Sequence, residues 1–74
     1  MNLPINEIQE ARDLFEKTEL IDDPKEKLYA FIDSLDILNY ILEINSNADK
    51  EITNYILNLR ITYSRSLLIQ IYQW

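Results

Sequence analysis

From Leu28 to Ile44 the chain reads LYAFIDSLDILNYILEI, and apolar residues recur there at helical spacing on two sides instead of one. Leu28, Phe31, Leu35, Leu38 and Leu42 alternate steps of three and four residues, with Ile32 alongside. That is the heptad rhythm of helices packed in a bundle. Ala30, Ile37, Ile41 and Ile44 form a second seam almost opposite the first, and Asp33, Asp36 and Glu43 separate the two on one side. A surface helix of a small bundle needs only one apolar stripe. The second seam therefore raises the question of what covers it.

Upstream, Ile5, Ile8, Ala11, Phe15 and Thr18 make a one-sided stripe with Leu14 at its edge, predicting a first helix over residues 5–19. Pro4 suits its first turn, with Asn6 an alternative N-cap. Leu20 and Ile21 are expected to fold back onto the bundle. In Asp22-Asp23-Pro24-Lys25-Glu26, Asp23 reads as an N-cap, Pro24 as the first helical residue and Glu26 as the third, which starts a second helix over 24–44. Asn45 is the natural left-handed C-cap, and Ser46 or Asn47 caps the next helix, with Asp49 and Glu51 in its first turn. So short a connection makes helices 2 and 3 antiparallel.

The third helix is expected over 48–73. Its main face is Ile52, Ile56, Leu59, Tyr63 and Leu67, with Tyr55 beside it and Trp74 in line if the helix persists. A second stripe runs through Leu57, Ile61, Leu68 and Tyr72, and Asn54, Asn58, Thr62 and Arg65 form a polar strip. The predicted fold is thus all-α, a three-helix up-down-up bundle making a single domain over 1–74.

Composition narrows the functional classes. The chain has 74 residues, 47% of them hydrophobic, and contains no Gly, Cys or His. Without Cys there is no disulfide, and without Cys or His a structural zinc site is disfavoured. Missing His and Cys also remove the commonest general base and the thiol nucleophile, and missing Gly removes phosphate-cradling loops. Asp33, Asp36 and Glu43 are carboxylates near one helix face, but on a helix with apolar seams they read as its solvent side. No enzyme, cofactor or metal is expected. No uninterrupted hydrophobic run exceeds the five residues Leu28 to Ile32, so neither a transmembrane span nor a signal peptide is expected. A cytoplasmic protein is the expectation.

Net charge is −6, and all 13 acidic residues lie at or before Glu51, with five of the seven bases; only Arg60 and Arg65 follow. Acids recur every third residue from Glu7 to Asp22 and coat the first helix. Such a chain is a poor binder of nucleic acid or of an anionic membrane. Arg60 and Arg65 are expected to pair with acids of the first two helices, and the tyrosines to serve as core and interface anchors.

The strongest signal is then the pair of second seams. Exposed together they would exceed the apolar patch a monomer normally shows. The predicted interface is Ala30, Ile37, Ile41, Ile44, Leu57, Ile61, Leu68, Tyr72 and Trp74. The alternative is that the first helix packs into the groove and absorbs the excess. The expected function is a small non-catalytic interaction module that self-associates, most simply as a dimer. A second reading is an acidic inhibitor or nucleic-acid mimic, presenting helix 1 to a basic protein partner.

Overall fold

A computed structural model describes residues 5–44 and 50–73. The expectations that rest on Pro4, on Asn45 to Asp49 and on Trp74 lie outside the described residues. Three helices pack against one another: α1 (Ile5–Lys17), α2 (Pro24–Ile44) and α3 (Lys50–Gln73). Ile5 and Ile8 at the start of α1 lie beside Ile52 and Tyr55 at the start of α3, while Phe15 near the end of α1 stacks on Tyr63. The outer helices therefore run parallel and α2 runs against both, which is the up-down-up bundle the apolar spacing predicts.

α1 is shorter than its apolar stripe. Its α-helical hydrogen bonding stops at Lys17, and Thr18–Leu20 tightens into a 3₁₀ turn. The buried Thr18 hydroxyl donates to the Phe15 carbonyl, and the Ile21 N–H closes back on the Thr18 carbonyl at 3.4 Å. Ile21 is then extended, with φ −93° and ψ 122°, as the chain leaves for Pro24. Only half of the expected fold-back occurs. Ile21 is half-buried near Leu14 and Tyr29, whereas Leu20 points out, 83% exposed.

α2 starts where the local chemistry requires. The Asp23 carboxylate accepts from the Lys25 N–H at 3.1 Å, and the Asp23 carbonyl accepts the Lys27 N–H at 2.9 Å, the first turn of the helix. Asp23 is thus an N-cap, satisfying one of the donors that every helix start leaves without an intrahelical partner. Pro24, at the first helical position, has no N–H to satisfy.

The core is Ala11, Leu38, Ile41, Ile56 and Tyr63, flanked by Ile8, Phe15, Leu35, Ile37, Leu42, Ile52 and Leu59. Both seams of α2 contribute to it. On the first seam Phe31 meets Phe15 of α1 and lies beside Ser66 and Ile69 of α3, and on the second Ala30 lies beside Leu14 of α1. Helix 1 thus covers much of the surface for which a second chain is expected from the sequence. Small residues make this possible: Ala11 on α1, and Ala30 and Ser34 on α2, are all buried. Interaxial distance follows the size of the side chains at the contact, so these positions let the two helices approach closely. Ser34, wholly buried, returns its hydroxyl to the Phe31 carbonyl at 2.8 Å and so leaves no orphan polar atom.

Candidate interaction surface

The predicted interface residues divide cleanly once placed in the bundle. Ala30 and Ile41 are buried, Ile41 completely, and Ile37 is half-buried against the core. The assignment of Ala30 and Ile41 to an interface is corrected, because both are buried inside the bundle, Ala30 beside Leu14 of α1. Ile44, at the end of the same seam, stays 55% exposed. On α3 the outcome is the reverse. Leu57 is half-buried, and Ile61, Leu68 and Tyr72 are exposed, Tyr72 to 89%.

At about 100° per residue, Leu57, Ile61, Leu68 and Tyr72 fall within an arc of about 60° on α3. That arc lies away from α1, because Phe15 of α1 meets α3 at Tyr63, on another side. Ile71, also exposed, borders the stripe near its C-terminal end. The neighbouring edge of α2 is apolar as well. Leu28 and Leu35 are half-buried there, and Ile32 is exposed. Between the two ridges the Arg60 Nη1 donates to the Asn39 Oδ1 at 3.1 Å, tying α3 to α2 across the seam. The partner of Arg60 is thus an amide and not the carboxylate expected. Sequence reasoning placed Ile32 beside the intramolecular seam and did not count Ile71. The spacing from Leu68 to Ile71 and Tyr72, three and four residues, is the signal that places Ile71 there.

Apart from Arg60, charge is distributed around this face. Asp36 and Glu43 are exposed along the outer edge of α2, and Arg65 is exposed along the outer edge of α3. Glu10, Asp13 and Glu16 are exposed on α1, on the far side of the molecule. The Gln9 amide donates to the Asp13 carboxylate at 2.8 Å, one helical turn away.

A second feature lies at the end of the bundle where α1 stops. Phe15, Phe31, Thr18, Glu19, Lys27, Ser66, Ile69 and Gln70 line a depression of about 170 Å³. Phe15 and Phe31 meet edge to face beneath it, with centroids 5.8 Å apart. Lys27 Nζ donates to Gln70 Oε1 at 3.3 Å and bridges α2 to α3. Among the described residues, no three Asp or Glu side chains come together as a metal site, and no helix is long and apolar enough to cross a membrane.

Folding alters the titration of Tyr63. Burial raises its pKa above the ordinary 10.0; the nearby Arg12 guanidinium acts in the opposite sense, while Tyr55 and Glu16 add to the rise. It holds the junction of α1 and α3, with its ring 3.9 Å from that of Phe15 and 6° from parallel.

The fold and this face define a small three-helix bundle with one apolar side open. Comparison with protein-family models, with curated proteins and with solved structures returns no match to the chain.

Proposed function

We propose that this protein is a non-catalytic helical interaction module that self-associates through the open face of α2 and α3. The observation that carries the reading is the exposure of Ile61, Leu68 and Tyr72 in one arc of α3, beside exposed Ile32 on α2. Contiguous apolar surface of this kind marks contact sites, because removing it from water is favourable in proportion to its area. The charge pattern directs a second copy to this face. Two chains of net charge −6 repel, and beyond Glu51 α3 carries no acid, so its stripe is where two copies approach with least repulsion.

Sedimentation equilibrium tests the reading. A dimer is expected at micromolar concentration, and a clean monomer at high micromolar concentration overturns it. Ile61→Lys with Leu68→Lys should disperse the dimer while the helical signal and the cooperative melt persist.

The acidic outer surface of α1 supports the second reading, a docking surface for a basic protein. Binding there would weaken steeply with salt, whereas apolar self-association would hold.

A further inference from the structure

Resting on that reading, we infer that the dimer closes about a two-fold axis parallel to the helices, placing α2 of each copy over α3 of the other, with Arg65 of one meeting Asp36 of its partner at the rim. A face shared by two identical chains is isologous, so the axis lies in the plane of contact. Two arrangements keep the helices aligned. An axis across the helices stacks α2 on α2 and α3 on α3, setting the edge that bears Asp36 and Glu43 against its own copy. An axis along the helices stacks α2 on α3 and brings the acidic edge over the edge that bears Arg65. Like charges set against each other are destabilising and opposite charges steer the encounter, so the charge pattern selects the second arrangement.

Register agrees with this choice. The hydrogen bonds Arg60 to Asn39 and Lys27 to Gln70 fix which residues of antiparallel α2 and α3 share a level. Interpolating between them sets Arg65 level with Asp33. A two-fold axis along the helices preserves level, so Asp36 of the partner lies about 4.5 Å further along, within the reach of an arginine side chain. By the same reckoning Glu43 comes level with Ile56 and Leu57, less than one helical turn from the exposed Asn54 amide, which offers it a donor. The acid-rich α1 helices are left on opposite outer faces of the assembly, as far apart as the bundle allows.

The test is sedimentation equilibrium of the full chain as wild type, Asp36→Arg, Arg65→Asp and the double variant. Each single reversal should raise Kd about tenfold, since every pair occurs twice in a two-fold dimer, and the double variant should recover most of that loss. Singles that leave Kd unchanged, or a double variant no better than either single, overturn the geometry while self-association stands. A monomeric wild type overturns both. A second measurement avoids charge changes, because the native chain has no Cys. Ile32→Cys mixed with Leu68→Cys should form a disulfide-linked dimer that neither forms alone. A dimer that fails to cross-link in the mixture, or a variant that links efficiently to itself, overturns the arrangement.

Discussion

Tyr63 joins α1 to α3 through its ring, and its hydroxyl feels the charges of Arg12, Glu16 and Tyr55. Its pKa is raised above 10.0, mainly by burial, so the folded chain holds this proton more tightly than the unfolded chain does. The stability this contributes is complete below pH 10.0 and is lost as pH rises through the folded value. Urea denaturation at alkaline pH should show that loss, and Tyr63→Phe should reduce the slope relative to wild type. Asp23 is the simpler case. Asp23→Ala removes the acceptor of the Lys25 N–H and should lower unfolding free energy by about 1 kcal/mol without changing the helical content of the folded state. The two residues differ in how well the sequence reveals them. Asp23 is legible because a cap is settled by the residues beside it, Pro24 above all. Tyr63 reads only as one apolar position among several, since its partner Phe15 lies 48 residues away in the chain.

Among the elements, α2 bears on both neighbours, and its two seams have different fates from those their sequence suggests. Ile41 is wholly buried, so Ile41→Ala should cost about 3 kcal/mol, and Ile41→Lys should leave the chain unfolded at room temperature. Circular dichroism separates this from Leu68→Lys, which places its charge on an exposed position and should keep the bundle folded. Ser34→Leu tests the close approach of α1 and α2. Adding that volume to a site with no exposed surface should destabilise by about 2 kcal/mol, although a leucine is the more apolar residue. Helical periodicity reported both seams correctly as apolar. It could not report which helix reaches which seam, because small buried residues such as Ala11 and Ser34 add little to an apolar stripe yet set how near two axes come.

For the whole molecule, the proposed self-association would make stability depend on concentration. A dimer that forms only from folded chains gains about 1.4 kcal/mol for each tenfold rise in concentration, so Tm should climb by several degrees over a hundredfold range. The Ile61→Lys, Leu68→Lys variant should melt at a Tm independent of concentration. High salt should change the wild-type dimer little, because it screens both the rim attraction and the repulsion between two chains of net charge −6 and leaves the apolar contact intact.

The number of helices, their order and the start of α2 are legible in the chain because they depend on local spacing and on capping within a few residues. So is the apolar stripe from Leu57 to Tyr72, which stays open because α1 and α2 both pack on other sides of α3. The division of apolar surface between core and exterior was decided by tertiary packing. Thirteen residues of α1, brought close by Ala11, Ala30 and Ser34, cover much of the α2 seam that spacing alone offered to a partner. Burial depends on the distance and direction between helices, and those belong to the assembled bundle.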